Sequence, residues 1–199
     1  MTLGHQRATG AGFTVLELTV TVAVFAVVVA VSAPSIGEWI GKLKVHTNAE
    51  ALKNSIVLAQ GEAIKRNRLV EFSLVNVIPP AADSIPADNG MGWIVRVLPF
   101  STETITVLQA DTFAQQGVQL TGGNNKTLVF SGVGEVYTSV PSVDDPEPVL
   151  LTTRAYQVVS SSGYSTCVLV QPGKAVRWCD PTIVSGSHAC PGSATQSCL

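Results

Sequence analysis

Gly12-Phe13-Thr14-Val15-Leu16-Glu17-Leu18 opens an apolar run that continues to Val31, and Glu17 is its only charge. The 19 residues from Phe13 to Val31 are enough to cross a bilayer core as a helix. A carboxylate at membrane depth costs roughly 2.5 to 3.5 kcal/mol on insertion scales, so a chain that keeps one needs a partner charge. An amino terminus is the simplest partner. A cut between Gly12 and Phe13 would create one, and the α-amino group of a neighbouring subunit would then meet Glu17 inside the membrane.

Two plainer readings compete. An ordinary secretory signal would be cut near Val31-Ser32-Ala33, but its apolar core would exceed the usual length of about 7 to 15 residues, would contain Glu17, and would leave Pro34 directly after the cut. An unprocessed membrane anchor is the other. Arg7 and the amino terminus stand on one side of the run and Lys42 and Lys44 on the other, so the distribution of positive charge does not fix its orientation.

The stretch Gly12 to Leu18 resembles the class III leader of type IV pilins and type II secretion pseudopilins. The resemblance implies that a prepilin peptidase cuts after Gly12 and methylates Phe13, that Glu17 serves filament assembly, and that Pro34, twenty-second after the junction, kinks the helix. It also implies a single-pass protein of the bacterial inner membrane with its head in the periplasm, incorporated into a pilus or pseudopilus.

Beyond the membrane run, about 130 to 150 residues remain for one soluble domain. After Pro34, the apolar residues Val45, Ala49, Leu52, Ile56, Ala59 and Ala63 recur at alternating spacings of 4 and 3, which predicts one buried stripe on a helix. Lys44, Lys53, Glu62, Lys65 and Arg66 lie off the stripe, with Glu62 and Arg66 spaced as an i,i+4 pair. From Leu69 the pattern turns to strands: Val70, Phe72 and Leu74 alternate with Glu71 and Ser73. Further β-branched or aromatic runs follow at Gly92 to Leu98, Thr104 to Gln109, Lys126 to Phe130, Glu135 to Thr138, Leu150 to Ser160, Cys167 to Val170 and Ala175 to Cys179. Pro79-Pro80, Asp88-Asn89-Gly90, Gly122-Gly123-Asn124 and an acidic stretch from Pro141 to Pro148 punctuate them.

Four blocks carry a narrower resemblance: Ala63 to Arg68 leading into a strand, Gly92 to Val95, Leu128 to Gly134, and Pro172-Gly173-Lys174 through Cys179-Asp180-Pro181. In this order, after such a leader, they resemble the GspH/FimT family of minor pilins and pseudopilins. The resemblance implies an α+β fold in which a long amino-terminal helix packs on a β-rich head of two antiparallel sheets. It divides the chain into a leader (1–12), a transmembrane or filament-core helix (13–33), an amphipathic continuation (34–68) and a periplasmic head with a disulfide-stapled tail (69–199). The implied partners are other minor subunits, the major subunit, the peptidase and the inner membrane, and the implied role is to prime or cap a filament.

All four cysteines lie late in the chain, at Cys167, Cys179, Cys190 and Cys198, and an even number in an exported domain reads as disulfides. Their spacings match no common zinc pattern, so no metal or cofactor is expected. Of the three possible connectivities, the turn at Gln171-Pro172-Gly173-Lys174 favours Cys167 with Cys179, by setting them opposite on two strands, and leaves Cys190 with Cys198. Histidines occur only at His5, His46 and His188 and supply no set of nucleophile, base and orienting acid, so an enzyme is not expected.

Some FimT-like proteins capture DNA through a basic Gly-Arg-x-Arg element. The matching stretch here is Gly173-Lys174-Ala175-Val176-Arg177, with Lys for the first Arg and one extra residue between the cations. Against it, the region from Leu69 onward holds five basic and ten acidic residues, a net charge of −5, and two cations would contact only about two phosphates. An exported enzyme or adhesin is a third reading for which the chain shows no site. The mature protein is predicted to begin at Phe13; amino-terminal mass analysis of the membrane fraction checks it, and a start at Pro34 or Met1 would remove the pilin reading.

Overall fold

The computed structural model describes residues 12–100, 102–113, 117–122, 126–139, 152–191 and 198, with only the backbone at 33–35. The leader up to residue 11, the acidic stretch 141–148 and the Pro34 side chain lie outside the described residues. The chain divides into two compact units, Met1–Trp39 and Ile40–Leu199, and helix α1 (Val15–Arg66) contributes to both.

In the first unit, α1 starts because Thr14 caps it. Its hydroxyl accepts from the Glu17 amide at 3.2 Å and its carbonyl from the Leu18 amide at 3.1 Å, and Thr14 with Glu17 three residues on has the capping-box spacing. The window Val15–Ser32 is long and apolar enough to cross a membrane, and none of it is buried. Its hydroxyls turn back onto the helix: Thr19, Thr21 and Ser32 each donate to a carbonyl of the preceding turn at 2.8 Å. Polar groups satisfied in this way can lie in hydrocarbon without water.

In the second unit, the stripe Val45, Ala49, Leu52, Ile56, Ala59 and Ala63 is at most 1% exposed, as its spacing predicts. Three of the six are alanines. Glu62 pairs with Arg66 at 2.6 Å and with Lys65 at 3.4 Å on the outer side. That outer side is less polar than expected, because Leu43, Val57, Leu58 and Ile64 also stand exposed on it. The helix ends at Asn67, whose φ is 49°; Asn67 N bonds Ile64 O at 3.3 Å and Arg68 N bonds Ala63 O at 3.2 Å, the two closures of a Schellman motif. Gly132 sits against this cap, and a Cβ there would fall 2.2 Å from Asn67 Oδ1.

The remaining chain forms two five-stranded antiparallel sheets. The first runs β4 (Thr106–Thr112), β3 (Gly92–Val97), β1 (Val70–Val75), β6 (Thr127–Phe130) and β7 (Val136–Tyr137). The second runs β10 (Arg177–Cys179), β9 (Ser165–Val170), β8 (Arg154–Ser160), β5 (Val118–Thr121) and β2 (Asn89–Gly90). One core joins the helix stripe to Phe72, Leu74 and Trp93 of the first sheet and to Tyr156, Val158 and Val168 of the second. This is the expected α+β architecture of a helix on two antiparallel sheets. Asn89 and Gly90, read as part of a turn, pair with Thr121 and Leu120, and β5 itself was not expected. Both are short: β2 has two residues, and the alternation of Val118 and Leu120 with Gln119 and Thr121 in β5 spans only four.

The central strands β1 and β3 of the first sheet are buried on both faces, which the alternation in β1 does not anticipate. Glu71 and Arg96 sit opposite each other in the β1–β3 register on the face away from the helix. Arg96 Nη2 bonds Glu71 Oε1 at 2.8 Å, while Arg96 Nη1 donates to the carbonyls of Ala82 at 2.7 Å and Ser84 at 3.1 Å. The segment after β1 is thus tied over the sheet, and Glu71 and Arg96 are 3% and 8% exposed. A second unexpected polar contact lies under the helix: Trp93 Nε1 donates to Ser55 Oγ at 2.8 Å within the apolar stripe's own face. Because breaking a buried ion pair leaves an uncompensated charge, Arg96→Ala is expected to lower stability by about 3 to 5 kcal/mol, and Glu71→Leu with Arg96→Met to recover most of it. Denaturant unfolding of the solubilised full chain checks both.

Candidate functional site

Gly12 and Phe13 precede the first turn of α1 and are exposed, and Glu17 lies within that turn. From Phe13 to Val31, every large apolar side chain exposes half or more of its surface. Among the described residues, no ion pair includes Glu17. Its amide is satisfied by Thr14 and its carboxylate stands at the positive end of the helix dipole. This surface has the chemistry of a segment that meets lipid or other apolar helices, with one anionic point near its start.

At the far end of the chain, β9 and β10 form a hairpin whose turn closes with Lys174 N on Gln171 O at 3.2 Å. Pro172 precedes Gly173, whose φ of 66° only glycine adopts readily. Lys174 and Arg177 are both exposed, and Arg177 Nη1 reaches the Ser187 carbonyl at 3.5 Å.

The disulfide pairing expected from this turn is not the one that forms. Cys167 and Cys179 do face each other in the β9–β10 register. Yet Cys167 bonds Cys198, with Cα atoms 5.6 Å apart, and Cys179 bonds Cys190, at 5.1 Å. Directly opposed residues send their side chains out of the same sheet face, side by side, and here each meets a cysteine of the tail instead of its neighbour. The four cysteines cluster there with Ala155 and Leu169. The Sγ atoms of Cys167, Cys179 and Cys190 all lie within 4.8 Å of one another, but every sulfur is in a disulfide and offers no thiolate to a metal.

A polar and aromatic cluster joins α1 to the tail, and no spacing in the sequence signals it, since its members are up to 146 positions apart, from Lys42 to His188. Tyr164 Oη donates to Asp180 Oδ2 at 3.1 Å and contacts His46 Nε2 at 2.9 Å. With its only proton given to Asp180, Tyr164 accepts from His46, which therefore carries hydrogen on Nε2. Trp178 stacks on His188 at 4.5 Å and meets the edge of His46 at 5.3 Å, while Lys42 lies over the Tyr164 ring. Asp180 also accepts from the Thr182 amide and hydroxyl, and its own amide donates to the His188 carbonyl at 2.8 Å.

Burial pushes the Asp180 carboxyl up, but hydrogen bonds from Thr182 and Tyr164 and the nearby His46 outweigh it and hold the group below the usual aspartate range. Burial pushes the Tyr164 hydroxyl up as well, and there it prevails. A groove of about 800 Å³ lies between β2, β5 and the end of β8; its described lining includes Asn76, Met91, Gln119 and Ser161 and contains no titratable side chain. A depressed Asp180 contributes stability that is complete above about pH 4 and is lost as pH falls through its lower folded value. The stability gap between the native chain and Asp180→Asn is therefore expected to shrink as pH drops below about 4, which acid titration of both by circular dichroism checks.

The family described as Type II transport protein GspH matches residues 48–174, from within α1 to the turn of the β9–β10 hairpin. No curated protein matches the chain. Among solved structures, it is similar to the type IV minor pilin FimU of Pseudomonas aeruginosa, with a TM-score of 0.48 and 15% identity over 79% of this chain and 97% of that one. The family match covers well over half of the sequence, and on it this chain belongs to the GspH family of minor pilins and pseudopilins.

Proposed function

We propose that the protein is a minor, structural subunit that primes or caps a pilus-like filament, either the pseudopilus of type II secretion or a type IV pilus. The observation that carries this reading is the wholly exposed apolar run of α1, with Glu17 as its one charge, joined to a GspH-family head. A prepilin peptidase cuts between Gly12 and Phe13 and methylates Phe13. The run anchors the chain in the inner membrane with the head in the periplasm until a filament takes it up. Inside the filament, Glu17 meets the amino terminus of a neighbouring subunit, and the exposed Leu43, Val57, Leu58 and Ile64 extend the apolar contact along the helix.

DNA capture at the hairpin is the second reading, favoured by the exposure of Lys174 and Arg177. We do not adopt it, because acidic residues outnumber basic ones two to one from Leu69 onward. The two readings part in experiment. Glu17→Val is expected to leave the amount of protein in the membrane unchanged, yet to lower its crosslinking to neighbouring subunits about tenfold, the equivalent of about 1.4 kcal/mol. The detergent-solubilised full chain is expected not to shift duplex DNA at physiological salt. Micromolar binding that Lys174→Ala with Arg177→Ala abolishes, with a log-log salt slope near about −2, would establish the DNA reading instead.

A further inference from the structure

We propose that the four cysteines over the second sheet form a thiol–disulfide exchange centre, through which one external thiol frees the carboxy-terminal tail from its covalent tether to the head. Two observations meet at this spot. Cys167 and Cys179 are exact register partners on β9 and β10, although each is bonded elsewhere. The Sγ atoms of Cys167, Cys179 and Cys190 lie within 4.8 Å of one another, so a thiolate released on Cys167 already stands beside the other disulfide.

Access sets the order of events. Cys167 and Cys179 are fully buried and Cys190 is 3% exposed, whereas Cys198 is 8% exposed, the most of the four. An external thiolate attacks Cys198 Sγ, forming a mixed disulfide there and releasing Cys167 as thiolate. Cys167 Sγ then attacks Cys179 Sγ; the Cys167–Cys179 bond forms, the Cys179–Cys190 bond breaks, and Cys190 leaves as thiolate. Directly opposed residues of an antiparallel pair have Cα atoms about 4.5 to 5.5 Å apart, within the span of a disulfide, so the sheet need not move to accept the new bond. Cys190 finally attacks the mixed disulfide at Cys198, forming Cys190–Cys198 and returning the external thiol. Two disulfides are present at the start and two at the end, so no oxidant or reductant is consumed.

The exchange changes what the disulfides hold. In the starting pairing, both tie the tail to the sheet. In the product, one staples the hairpin to itself and the other closes the tail on itself. Among the described residues, the tail then keeps non-covalent ties that include the bond from the Asp180 amide to His188, the bond from Arg177 to the Ser187 carbonyl and the stack of Trp178 on His188, and the sheet face around Ala155 and Leu169 can be uncovered.

The test uses the full chain in detergent with a substoichiometric amount of reduced glutathione at mildly alkaline pH, followed by acid quench, alkylation in denaturant and peptide mapping. The Cys167–Cys179 peptide is expected to rise from background at least tenfold over minutes to hours, the usual timescale of disulfide rearrangement, with Cys190–Cys198 rising alongside it. Two variants approach the same product from opposite sides. Cys198→Ser begins with the free thiol on Cys167 and is expected to end with it on Cys190; Cys190→Ser begins with it on Cys179 and is expected to end with it on Cys198. An unchanged map in the native chain, or variants that keep the label on Cys167 and Cys179 respectively, would overturn the proposal. So would all pairings appearing together, including Cys167–Cys190, as from an unfolded chain.

Discussion

The burial of one face of α1 is the contact on which the head depends. Val45, Ala49, Leu52, Ile56, Ala59 and Ala63 lie against residues of both sheets at once, and without that stripe each sheet would expose an apolar inner face to water. Helix propensity contributes little to such an arrangement compared with the area removed from water. The polar exceptions on the helix fit the same constraint. Ser55 is fully buried because it receives the Trp93 indole, and Asn48 returns its amide to Lys44 of its own helix.

With the inner faces committed to the helix, the outer faces need other covers, and the two sheets solve the problem differently. Over the first sheet, the chain after β1 is held by a guanidinium that serves a carboxylate and two carbonyls together. A buried charge is tolerable only with its hydrogen bonds made, and Arg96 makes most of them. Over the second sheet, a tail rich in glycine and serine has too little apolar surface to stay down by itself, so disulfides supply the attachment. The aromatic and ionic cluster around Tyr164 adds a second, non-covalent attachment at the edge strand β10.

The apolar amino-terminal run obeys a different rule. Among the described residues none of its window Val15–Ser32 is buried, and its hydroxyls are turned inward onto the helix. Such a surface asks for lipid or for other helices of the same kind. The head that follows this run is matched by the GspH family.

The sequence by itself determined the periodic parts of this protein. Six residues at spacings of 4 and 3 named the buried face of the helix, an i,i+4 spacing named the Glu62–Arg66 pair, and Pro172-Gly173 named the hairpin turn, because each is a local consequence of helix or turn geometry. The two-sheet α+β class was legible from the strand runs and their resemblance to a known family. Only the tertiary structure decided which groups meet across the fold. The Glu71–Arg96 pair, the Ser55–Trp93 bond, the His46–Tyr164–Asp180 chain and the disulfide connectivity all join residues whose spacing carries no period. The cysteines show the reason most directly. The turn correctly places Cys167 opposite Cys179, but opposed side chains leave a sheet in parallel, and what each one bonds is set by the segment that folds over that face.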